Sequence, residues 1–270
     1  MSTIEEKIYQ LCIEKRNEEV CELLKENIKD IKLEHQFKVL FWLVDDQNVS
    51  ALKFLKDTHL SLNIFDDFFF RYACSCGYLE LVKFFVKNGA DVNAKKGEPL
   101  MLASRYGHLN IITYLKSKGA NLNARFDQAL SHAAIGGHLN IIEYFYNERL
   151  NITAGKNAPL RFAAEYGHKE IVEYLILRGA DYHAEDEYAL RKAVKNGHME
   201  IAKDLLRRGA DPDANNFELI EWAIKKRKLD ILDMLLDAGG KPDIFDGKYI
   251  KIAKDKKDYE LKKLLESYME

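Results

Sequence analysis

One interval governs this sequence. Gly77, Gly107, Gly137, Gly167 and Gly197 stand 30 residues apart, and four of them are followed by histidine, at His108, His138, His168 and His198. The same step links Ala73, Ala103, Ala133, Ala163, Ala193, Ala223 and Ala253. A third column runs Leu81, Ile111, Ile141, Ile171, Ile201, Ile231, Leu261. A fixed period of this size marks a repeat array, in which each unit is one supersecondary motif that cannot bury its own apolar faces. Nine such steps span the 270 residues.

The physics of one unit can be read from Glu98 to Asn123. Leu100, Leu102, Ala103 and Tyr106 follow helical spacing and predict a first helix. Gly107 ends it, because a left-handed residue just past a helix costs glycine no Cβ strain. Leu109, Ile111, Ile112 and Leu115 form the buried stripe of a second helix. Acidic or amide residues open the second helices (Glu80, Asn110, Asn140, Glu170, Glu200, Asp230), which suits the positive end of the helix dipole. Gly119 closes the pair and Ala120 to Asn123 turns into the next. The small alanine column lets neighbouring first helices approach closely.

Glu98-Pro99-Leu100-Met101, Ala158-Pro159-Leu160-Arg161, Gly89-Ala90-Asp91-Val92-Asn93, Gly179-Ala180-Asp181 and Gly209-Ala210-Asp211, set beside the glycine–histidine column, resemble the ankyrin repeat. The resemblance implies an all-α ankyrin-repeat solenoid of about nine helix–turn–helix units. The commonest ankyrin period is about 33 residues. The shortfall here lies between Asn93 and Pro99, where the family carries a β-hairpin finger, so Ala94-Lys95-Lys96-Gly97 predicts a short turn instead. A 30-residue period with this wording is similar to arrays encoded by large DNA viruses of protists. The expected organisation is a single domain over 1–270, with degenerate N-terminal repeats or a cap at 1–60, regular repeats at 61–240 and a C-terminal capping repeat at 241–270. Asn17 and Gln47 fall where the first two units need their column glycine. Arg227 replaces that glycine in a later unit, and Arg149-Leu150 replaces the usual Gly-Ala.

Chemistry finds no foothold. There is no phosphate-binding loop, nucleophile elbow, zinc-protease helix or dinucleotide fingerprint, so no enzyme, no catalytic residue and no cofactor is expected. The histidine column is too widely spaced for neighbours to share a metal, since stacked helices lie about 8–10 Å apart and zinc–nitrogen bonds are about 2 Å. Each histidine is expected to make a loop hydrogen bond instead. Forty-one basic against 43 acidic residues give a net charge of −2, with no pull toward nucleic acid. The run Lys225-Lys226-Arg227-Lys228 is interrupted by Glu221, Asp230 and Asp233. No apolar stretch approaches the roughly 20 residues of a membrane helix, and Glu5, Glu6 and Lys7 occupy the place of a leader's apolar core. Four cysteines in so long a chain fit a reducing compartment, so the expected setting is the cytoplasm (a host's cytoplasm if the source is viral), the expected state a monomer.

What remains is a non-enzymatic scaffold for a protein partner. The family resemblance puts contacts on the turns and on the two residues before the glycine–histidine column, at the concave face. Carried to this chain, the protein-binding residues are Arg105, Tyr106, Arg125, Phe126, Ile135, Glu165, Tyr166 and Lys195. The alternative is an adaptor or effector that recruits a host enzyme, such as ubiquitin machinery; an enzyme or a nucleic-acid binder ranks below both.

Overall fold

The computed structural model describes residues 3–27, 31, 33–56, 67–124, 128–241 and 247–268. Among them are eighteen helices and no strand. The chain divides into two compact units, Met1–Ile141 and Ile142–Glu270.

The first unit holds α1 (Ile4–Ile13), α2 (Asn17–Asn27), α3 (Leu33–Asp45), α4 (Val49–Lys56), α5 (Phe68–Cys76), α6 (Leu79–Lys87), α7 (Ala94–Arg105), α8 (Leu109–Ser117) and α9 (Gln128–Gly136). The division falls inside α10 (Leu139–Asn147). Each odd-numbered helix from α1 to α7 packs on the even one that follows it and on the next odd one, so the hairpins lie in single file within the unit. A reciprocal Thr3–Glu6 capping box starts α1. The second unit holds α11 (Ala154–Tyr166), α12 (Lys169–Leu177), α13 (Ala184–Asn196), α14 (Met199–Arg207), α15 (Ala214–Lys225), α16 (Leu229–Asp237), α17 (Lys248–Asp255) and α18 (Tyr259–Ser267). There α11, α13 and α15 pack in series, each on its own partner helix.

The columns are the core. Ala73, Ala103, Ala133, Ala163, Ala193 and Ala223 are fully buried, as are Ile111, Ile141, Leu115, Leu175, Leu205 and Leu235. Burying one such aliphatic side chain contributes about 1.5–3 kcal/mol. Among the described residues the buried side chains are spread along the file of hairpins.

Neighbouring hairpins are also clasped. Nε2 of His108 donates to the Ser75 carbonyl at 2.9 Å, that of His138 to Arg105 at 3.0 Å and that of His198 to Glu165 at 3.1 Å. A carbonyl only accepts, so each of these rings carries its proton on Nε2. The partner is the preceding repeat rather than the histidine's own loop. The glycine column makes room for this: at Gly107, φ is +88° and an added Cβ would lie 2.7 Å from the His138 ring.

Where the glycine is missing, the left-handed turn persists. Gln47, Arg149 and Arg227 have φ of 56°, 62° and 52°. Strain of about 1–2 kcal/mol attends a non-glycine residue there. Arg227 compensates by reaching into the next repeat, pairing with Asp258 at 2.8 Å and Glu260 at 2.9 Å. Asn17 is a correction to the sequence reading: the first left-handed residue is Lys15, φ 58°, and Asn17 already opens α2. Lys15 in turn pairs with Asp46 at 2.6 Å.

The short turns take a form the sequence did not reveal. Lys95–Gly97, Gly155–Asn157, Glu185–Glu187 and Asn215–Phe217 are each three successive left-handed residues. Two are braced by the first helix that follows: Arg161 donates to the carbonyls of Gly155 and Lys156, both at 3.0 Å, and Arg191 to those of Glu185 and Asp186, at 3.0 and 2.8 Å. Successive turns are tied together as well. Asn93 accepts from the Asn121 amide at 2.8 Å, Asn157 from Asp181 at 3.0 Å, Glu187 from Asp211 at 3.1 Å and Asp213 from Lys241 at 3.0 Å.

Candidate protein-binding surface

In the first unit the ends of the first helices carry the expected residues. Arg105 closes α7 with its side chain in solvent, and Tyr106 beyond it is 53 % exposed. Ile135, near the end of α9, is half-buried rather than exposed. Closer to the turn, a groove of about 440 Å³ runs between α7 and α9, floored by Met101 and Leu102 and flanked by Lys95, Lys96 and His132. Burial, and then the charge of Arg105, hold the His132 ring below its ordinary pKa. At neutral pH it is therefore an uncharged wall of the groove. Arg125 and Phe126 lie outside the described residues.

The second unit presents an ordered lattice of charge. Partial burial works against ionisation of Glu165 on α11, but hydrogen bonds from Lys192 and Tyr188 of α13, both 2.8 Å, overcome it and lower its pKa. The guanidinium of Arg161 sits 4.8 Å from the centre of the Tyr188 ring. One helix further on, Glu218 takes Arg191 at 2.6 Å, together with Lys195 and Asn215. Tyr166, at the end of α11, is 49 % exposed. Glu165 and Lys195 are thus engaged inside the fold, while Tyr166 is left to solvent. Side chains fixed this way lose little further entropy on binding.

Sequence reasoning did not pick out Arg161, Tyr188, Arg191, Lys192 or Glu218. A signal was present: Arg71, Arg161 and Arg191 occupy one column at multiples of 30 residues, which Met101 and Ser131 interrupt. Charged residues recurring at a first-helix position inside an apolar pattern need local partners.

Burial raises the pKa of Glu218, yet its bonds to Lys195, Asn215 and Arg191 bring it down to about 2. A depressed carboxylate adds stability above its ordinary pKa of 4.5, lost as pH falls toward the folded value. The side chain keeps 29 % exposure, so solvent screening holds the effect to about 1 kcal/mol. Glu218→Gln is expected to lower urea stability by that amount at pH 7, and to flatten the loss of stability between pH 4.5 and about 2. A variant whose pH profile overlays the parent's would contradict the assignment.

Among the described residues no three histidine, cysteine or carboxylate side chains converge as a metal set. The imidazoles of His108, His138 and His198 each commit one nitrogen to a carbonyl. No helix among these residues is long and apolar enough to cross a membrane.

Family comparison agrees with the geometry. A model of ankyrin repeats in three copies matches residues 40–126 and 100–186, and a single ankyrin repeat matches residues 185–217. No curated protein matches the chain.

Proposed function

The chain belongs to the ankyrin repeat family, and from that premise we propose that it is a non-enzymatic scaffold holding a protein partner on the concave side of its first helices. Repeats of this family are in general protein-interaction modules. The observation that carries the reading is the pair Tyr106 and Tyr166. Both stand at the same repeat position, two periods apart, and both leave about half of a large aromatic side chain in water. Tyrosine is enriched among residues that dominate binding energy, since it brings apolar area and a polar tip at low entropic cost. Arg105 stands beside Tyr106 in the first unit, and the lattice through Glu165 and Lys195 lies beside Tyr166 in the second, so each tyrosine has polar neighbours of its own. A monomer in the cytoplasm goes with this reading; the free thiols of Cys12, Cys21, Cys74 and Cys76 support a reducing setting.

Quantitative affinity capture from cell extract tests it, with Tyr106→Asp/Tyr166→Asp beside the parent chain. Specific partners are expected to fall at least about ten-fold in recovery, since hot-spot losses of about 2 kcal/mol exceed a factor of ten. Undiminished recovery would place the contact elsewhere.

A further inference from the structure

The second unit carries another site, removed in sequence from the tyrosine pair. A cleft of about 420 Å³ lies between α15 and α17. Its lining includes Ile224, Ile252 and Leu261, and its rim Lys225, Arg227, Lys248 and Lys256. The charges at this rim do not balance internally. Arg227 is taken by Asp258 and Glu260, and Lys225 by Glu221 at 2.9 Å. Glu221 also accepts from the Tyr249 hydroxyl at 2.6 Å, so the carboxylates around the cleft are occupied. The Lys248 ammonium rests 5.0 Å from the centre of the Tyr249 ring. Lys248 and Lys256 make no direct salt bridge among the described residues, and act on Glu221 and Asp258 only through space. An apolar cleft is therefore lined by an excess of cations, Lys225, Arg227, Lys248 and Lys256 against the single carboxylate Asp258.

The geometry points to an acidic peptide segment of a protein partner as the occupant, with one bulky apolar side chain in the cleft and carboxylates on either side meeting Lys248 and Lys256. Charge complementarity selects the acid, and the Ile224–Ile252 wall selects the apolar anchor. Single-stranded nucleic acid fits less well. Sequence-tolerant binding of strands rests on exposed aromatic faces, and Tyr249, the ring at this cleft, is buried. The site is independent of Tyr106 and Tyr166 and stands or falls apart from them.

The test uses the full chain and a fluorescein-labelled peptide in which Asp and Glu flank a single Phe, followed by fluorescence anisotropy. Lys248→Glu/Lys256→Glu is expected to weaken binding at least about ten-fold, as is replacing the peptide's Phe by Ala. Lys262→Glu/Lys263→Glu, which makes the same change in net charge on α18, is expected to change it less than about two-fold. Tyr106→Asp/Tyr166→Asp is expected to leave it intact, so this site can fail without the tyrosine surface failing. Equal weakening by both lysine pairs, or indifference to the Phe, would reduce the interaction to diffuse attraction and overturn the proposal. An oligothymidylate that displaces the peptide at comparable concentration would overturn it in favour of phosphate recognition.

Discussion

Gly136→Ala is expected to destabilise the protein by about 3 kcal/mol, although the substitution improves helix propensity. Gly136 is the last residue of α9 and is not among the residues with left-handed φ. In an exposed helix, alanine there would gain up to about 1 kcal/mol. The sign reverses because an added Cβ would lie 2.0 Å from the Arg105 carbonyl oxygen and 2.7 Å from the His138 ring. That oxygen is the acceptor of the His138 clasp, so the hairpins must separate or lose the bond. Gly119→Ala is the comparison. At φ +89° with nothing within 4 Å of its Cβ, it bears conformational strain alone, about 1–2 kcal/mol. Urea and thermal unfolding of the two variants should rank Gly136→Ala as the more damaging. A neutral or stabilising Gly136→Ala would mean that the hairpins are not this close.

A second large loss is expected from Leu205→Ala, about 2–5 kcal/mol. Leu205 on α14 is fully buried in the column that runs through Leu115 and Leu175. Leu177, of the same chemistry on α12, is 72 % exposed, and Leu177→Ala should stay within about 0.5 kcal/mol. Coverage in a repeat array is by nearest neighbours, so the damage should be local. Hydrogen exchange after Leu205→Ala is expected to accelerate most in α13 to α15 and least in α1 to α5. Uniform acceleration across the chain would indicate one global core in place of a file of hairpins.

The period made most of the fold legible. Glycine, alanine and aliphatic columns report backbone handedness, close approach and burial, and each has a consequence at a fixed interval. Hairpin packing, the left-handed ends at Gly77 and Gly107 and the lack of strands among the described residues all follow from such columns. Features set by one-off pairings did not show. Lys15 takes the turn expected at Asn17 because no glycine marks the place. The three-residue left-handed turns contain Glu185 and Glu187, residues whose own preferences argue against that conformation. Arg191 and the next turn hold them there, through bonds that cross between elements. Glu187 shows the limit most clearly: a glutamate reads as solvated, yet this one is buried, bonded to His183 and the Asp211 amide. For the candidate surface, the exposure of Tyr106 and Tyr166 agrees with their repeat position, whereas the engagement of Glu165 with Lys192 and of Lys195 with Glu218 depended on rotamers and neighbours.

Photo-crosslinking is the most direct measurement of the binding claim. A benzophenone amino acid placed singly at position 106, 166 or 177 and irradiated in cell extract reports which face a partner touches. Adducts are expected from 106 and from 166 and none of them from 177. Adducts confined to 177 would contradict the assignment of the face.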